Sequence, residues 1–128
     1  MAGKPILVVD DQPQNLKLAR LLLQMAGYDV RTAANAEEAL EVLASFTPVL
    51  ILMDLQLPGM DGLQLTRRLK ADPRYRDVVI VAMTAYAMKG DRDKALDAGC
   101  DGYIAKPIDT QAFPLQVAEH IARGPRPS

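Results

Sequence analysis

Three short apolar runs punctuate the chain, at residues 6–9 (Ile-Leu-Val-Val), 49–53 (Val-Leu-Ile-Leu-Met) and 78–83 (Val-Val-Ile-Val-Ala-Met). They are rich in β-branched residues and lack the polar alternation of a sheet with one wet face. They therefore predict central parallel strands covered on both sides. Between them the spacing turns helical over residues 13–26, closed by Gly27, over 36–46 with Asn35 as N-cap, and over 61–71, stopped before Asp72-Pro73. Weaker patterns predict strands at 29–33 and 102–105 and helices at 91–98 and 110–122. Five strand-helix units result.

Parallel strands joined by right-handed crossovers, with helices on both faces, leave few topologies. The doubly wound α/β sandwich of flavodoxin-like strand order 2-1-3-4-5, a (βα)5 arrangement, is the expected fold. At 128 residues the chain is the size of one domain. That domain is expected to fill residues 1–122, with 123–128, Arg-Gly-Pro-Arg-Pro-Ser, as a short flexible tail. Six residues are too few to fold, so output must pass through contacts of this domain or through a longer parent chain; Met1 argues for a natural start.

Composition narrows the function classes. A formal net charge of -1 offers no field for a polyanion, which disfavours direct nucleic-acid binding. The longest apolar run, six residues, is far short of the roughly 20 that a membrane span needs. Cys100 is the only cysteine and no signal-like segment leads the chain, so a reducing cytoplasm fits best. His120, near a helix end, reads as placed against the helix dipole, and Cys100 as a small packing residue.

The polar residues at the strand ends form one constellation. Asp10 and Asp11 follow the first strand, and Asp54 ends the third and opens the segment Asp54-Leu-Gln-Leu-Pro-Gly-Met-Asp-Gly62. Thr84 ends the fourth strand, and Lys106-Pro107 follows the fifth. Taken singly, the acids read as helix caps or solvated turn residues, Thr84 as a strand former and Lys106-Pro107 as an exposed turn. Together, along one sheet edge, three carboxylates repel one another unless they share a cation. A hard cation with oxygen ligands, Mg²⁺, is what such a cluster selects. One carboxylate then remains to attack phosphorus, and Lys106 and Thr84 supply the charge and hydroxyl that phosphoryl transfer requires.

These residues, with Met-Thr-Ala85, Ala-Gly-Cys-Asp-Gly-Tyr103 and Ala-Lys-Pro107, resemble the receiver domains of two-component response regulators, in particular single-domain, chemotaxis-type receivers. The resemblance covers residues 6–122. It implies that Asp54 is the phosphoacceptor, that Asp10, Asp11, Asp54 and the backbone carbonyl of Gln56 hold Mg²⁺, and that Thr84 and Lys106 contact the phosphoryl group. It further implies a cis bond before Pro107, an aromatic switch at Tyr103 and an influence of Gln56 and Tyr86 on phosphoryl lifetime. The implied donor is a sensor histidine kinase or histidine phosphotransfer protein, and the implied output is altered affinity for a downstream protein target. Such a chain is a switch more than an enzyme, one that assists its own phosphorylation and dephosphorylation. Two alternatives stand beside it: a haloacid-dehalogenase-like phosphatase, which also uses an aspartyl phosphate but wants Asp where Gln56 stands, and a pseudo-receiver that never carries phosphate.

The first helix carries two apolar lines. Asn15, Ala19, Leu22 and Ala26 project as a core face, whereas Leu18, Leu21 and Met25 form a second stripe beside Lys17 and Gln24. That stripe is either the margin of a broad core face or a docking surface for the helix bundle of a kinase or phosphotransfer protein.

Overall fold

The structure is a computed structural model that describes residues 3–55, 62–84 and 89–125. Five parallel strands, β1 (Pro5–Val9), β2 (Asp29–Ala33), β3 (Leu50–Asp54), β4 (Val79–Thr84) and β5 (Gly102–Ala105), form one sheet in the order β2-β1-β3-β4-β5. The helices are α1 (Pro13–Met25), α2 (Ala36–Leu43), α3 (Gly62–Lys70), α4 (Lys89–Ala98) and α5 (Phe113–Arg123), with a short 3-10 turn at Pro73–Tyr75. This is the doubly wound, flavodoxin-like arrangement that the apolar runs predict.

Alternation within the strands builds two cores. Leu7, Val9, Ile51, Met53, Ile80 and Ala82 point to one face and pack with Ala39, Leu43, Leu65, Leu69, Ala95 and Cys100 from α2, α3, α4 and the turn after α4. Ile6, Val8, Leu50, Leu52, Val79, Val81 and Ile104 point to the other and meet Ala19, Leu23, Phe113 and Val117 of α1 and α5. Burial on both faces is why the strands read as continuous apolar runs. Cys100 is fully buried, as a packing residue should be.

The helix ends follow the local chemistry. Asn35 Oδ1 accepts from Glu38 N at 2.9 Å, the cap its position predicts. At the end of α1, Tyr28 N donates to Leu23 O at 3.0 Å and Gly27 N to Gln24 O at 3.0 Å, with Gly27 at φ 96, a left-handed turn that glycine enters without strain. The two largest departures from the expected boundaries are in α2 and α5. α2 stops at Leu43 rather than residue 46, and Phe46 instead lies under the Arg31 guanidinium, 5.2 Å from it. α5 begins at Phe113 rather than residue 110, because Asp109 Oδ1 accepts from Gln111 N at 2.9 Å and Ala112 N at 3.1 Å and holds a turn ahead of the helix.

The core face of α1 also differs. Ala19 and Leu23 are wholly buried, Leu16 and Leu22 half-buried, and Ala26 exposed, so the expected line through Asn15, Ala19, Leu22 and Ala26 is rotated. With leucine at 21, 22 and 23 in succession, hydrophobicity does not distinguish neighbouring lines, and the position of the sheet selects one.

At the entrances of β4 and β5, Lys70 and Asp101 form a half-buried ion pair of 2.6 Å. Lys70 Nζ also donates to Val78 O, and Asp101 Oδ2 accepts from Ile80 N at 2.9 Å, so one pair ties the end of α3 to the two strands. These further bonds offset part of the cost of withdrawing the pair from water. No described helix is long and apolar enough to cross a membrane.

Candidate active site

Strand order reverses between β1 and β3, and their connections leave toward opposite faces, α1 on one and α3 on the other. A crevice opens at their carboxyl ends, the usual ligand position in such sheets. Asp10 stands just past β1, its amide donating to Ala33 O at 3.1 Å, and Asp54 is the last residue of β3. Asp54 thus ends the strand, as the sequence predicts. Asp10 is fully buried and Asp54 nearly so.

The carboxylates of Asp10, Asp11 and Asp54 each offer an oxygen lying within 4.8 Å of the others. Asp10 Oδ1 accepts from Gln12 N at 2.9 Å and Oδ2 from Lys106 Nζ at 2.8 Å. Asp10 is therefore no cap of α1, whose N-cap is Gln12 without a side-chain bond. The Lys106 ammonium also lies 3.4 Å from Asp54 Oδ2. Burial is the largest influence on this lysine and favours the neutral amine, but the hydrogen bond and charge of Asp10, with the charge of Asp54, outweigh it and hold its pKa above the ordinary lysine value. It stays charged.

Thr84, buried at the end of β4, accepts from Lys106 N through its carbonyl at 2.8 Å, which sets the threonine beside the lysine-bearing turn. The Lys106-Pro107 bond is cis, as the resemblance implies. Tyr103 is half-buried on β5, and its hydroxyl is enclosed without a hydrogen-bond partner among the described residues. Gln56 and Tyr86 lie outside the described residues. On α1, Leu18 is half-buried, whereas Leu21 and Met25 are 51% and 77% exposed. His120 lies in the last turn of α5, the helix end expected of it. Its ring fills the space over Gly102, where a Cβ would meet Nδ1 at 2.5 Å. Burial, then the charge of Arg123, holds its pKa below the ordinary value against the pull of Glu119.

One contributor escapes a reading of residue types. The Gln12 amide that orients Asp10 is a main-chain group, which any residue but proline would supply.

A family model for the response regulator receiver domain matches residues 6–118. The polar-differentiation response regulator DivK of Brucella anthropi is 42% identical over 110 residues, which cover 86% of this chain and 89% of that protein. Among solved structures, a putative response regulator from Chloroflexus aurantiacus superposes with a TM-score of 0.89 at 33% identity, covering 94% of this chain and 99% of that one. The receiver domain of a sensor histidine kinase from Pseudomonas aeruginosa superposes with a TM-score of 0.85 at 36% identity, covering 94% and 99%, and its structure has a magnesium ion coordinated in the active-site cleft.

Proposed function

The chain belongs to the response regulator receiver family and is a receiver domain of two-component signalling, and from that premise we propose that Asp54 is its phosphoacceptor. The observation that carries this is the convergence of the Asp10, Asp11 and Asp54 carboxylates beside the Lys106 ammonium. The acidic cluster has the donor chemistry of a metal-ion site, and receiver domains engage histidine kinases and downstream targets. In this reading the domain spans residues 1–122 with a short tail, and it works in the cytoplasm.

The donor set of Asp10, Asp11 and Asp54 is all oxygen and anionic, which fits Mg²⁺; these carboxylates would hold the ion, with the Gln56 carbonyl, outside the described residues, as the further ligand that the family resemblance implies. The ion, when bound, neutralises charge on the entering phosphoryl oxygens. An Asp54 carboxylate oxygen attacks phosphorus of a phosphohistidine; the new P–O bond forms as the P–N bond breaks, and the imidazole departs with its electron pair. Lys106, released in part from Asp10, pairs with the phosphoryl oxygens, and the Thr84 hydroxyl donates to them. Hydrolysis of the same P–O bond by water resets the domain, so the chain assists both gain and loss of its own phosphate. Tyr103, with its hydroxyl enclosed but unbonded among the described residues, is suited to a side chain that exchanges positions as Thr84 moves. The stripe of Leu18, Leu21 and Met25 is proposed to dock the helix bundle of the donor kinase or phosphotransfer protein; the exposure of two large apolar side chains beside Lys17 and Gln24 supports this.

The test is incubation with acetyl phosphate and Mg²⁺, comparing wild type with Asp54→Asn by intact mass. One phosphoryl group on wild type and none on the variant is expected. No added mass on wild type, or equal labelling of both, contradicts the assignment.

A further inference from the structure

We infer that Gly62 is a positioning residue for the acceptor, because its missing side chain lets the first turn of α3 rest directly on the Asp54-Leu55 peptide; this builds on the reading of Asp54 as phosphoacceptor. A Cβ at position 62 would fall on the Asp54 carbonyl oxygen well inside contact distance, and would lie 2.8 Å from Leu55 Cα and 3.0 Å from the Asp54 carbonyl carbon. Gly62 is not among the glycines with positive φ, so space and not backbone conformation demands glycine here.

The peptide beneath it is held from two sides. Leu55 N donates to Met83 O of β4 at 3.3 Å, and Leu55 O accepts from Gly62 N at 3.3 Å. The helix is not free to retreat. Leu65 and Leu69 anchor it in the core, and within the helix the buried Thr66 donates its hydroxyl to Gly62 O at 2.7 Å and so holds Gly62 in the first turn. With α3 anchored in the core, a methyl group at 62 would press on the Asp54-Leu55 peptide. Because that peptide aims the Asp54 carboxylate at Asp10, Asp11 and Lys106, its displacement loosens both the metal cluster and the attack geometry.

The experiment compares wild type, Gly62→Ala and Thr66→Val as full chains. Mg²⁺ is titrated without phosphodonor, following amide resonances of Leu55 and Met83, and acetyl phosphate labelling is timed by intact mass at saturating Mg²⁺. For Gly62→Ala, checked for cooperative unfolding, the half-saturating Mg²⁺ concentration should rise several-fold and the saturated labelling rate should fall at least about tenfold, as for a misplacement of up to an ångström. A folded Gly62→Ala with wild-type values for both overturns the inference. Should Gly62→Ala fail to fold, Thr66→Val, which frees the start of α3 without adding an atom over Asp54, decides: a smaller loss in the same two quantities supports the inference, and wild-type values overturn it. A wild type that takes no label overturns the acceptor reading itself, whereas a wild type labelled on Asp54 beside an unimpaired Gly62→Ala sinks only the role of Gly62.

Discussion

Lys106 donates to Asp10 Oδ2 at 2.8 Å, a contact between residues 96 positions apart that neutralises the most buried carboxylate of the site. Removing that cation leaves Asp10 without its charge partner. Lys106→Met should lower stability without Mg²⁺ by about 1–3 kcal/mol, the usual cost of orphaning a buried polar group, and added Mg²⁺ should restore more stability to the variant than to wild type. Labelling by acetyl phosphate should slow by about 10²-fold, as when one preorganised charge is removed from a reaction centre. Urea unfolding with and without Mg²⁺ and timed intact mass measure both; unchanged values would show the lysine to be a bystander.

Tyr103 offers the opposite case. Its hydroxyl is buried without a partner among the described residues, so the native state meets a desolvation cost that phenylalanine would not. Tyr103→Phe should leave stability unchanged or raise it by up to about 1 kcal/mol, read from urea midpoints at constant slope. A clear loss of stability would mean that the hydroxyl bonds within segments outside the described residues.

Along α1, adjacent leucines should behave differently. Leu23 is fully buried, and Leu23→Ala should cost about 2–5 kcal/mol. Leu21 is 51% exposed, and Leu21→Lys should change stability by no more than about 0.5 kcal/mol. The same variant should label normally from acetyl phosphate yet receive phosphate more slowly from a histidine kinase. Severe unfolding of Leu21→Lys would return the whole stripe to the core.

His120 makes the fold sensitive to mild acid. Its folded pKa lies below the unfolded value of about 6.5, because burial and Arg123 disfavour the imidazolium. The unfolded chain then binds the proton more readily, so the stability it contributes is present above that value and lost as pH falls through the folded one. Wild type should lose more stability than His120→Gln between pH 7.5 and 5.5. Parallel losses in urea unfolding would mean that the ring is as well hydrated in the fold as out of it.

The sequence by itself determined the strand-helix alternation, because burial on both faces leaves an unmistakable apolar run, and it determined the inventory of the site, because Asp10, Asp11, Asp54, Thr84 and Lys106 all stand at strand ends. It also carried the Asn35 cap and the Gly27 stop, which are local matters of side chain and backbone. Tertiary structure decided what local pattern leaves open. Which line of α1 faces the sheet depended on where the sheet lies, since three successive leucines satisfy neighbouring lines equally. That Lys106 pairs more closely with Asp10 than with Asp54, that the His120 ring packs over Gly102 where burial lowers its pKa, and that Gly62 must lack a side chain follow from distances between chain segments far apart or separated by a loop. No residue type encodes such distances; they exist only once the sheet has closed and the helices have settled on it.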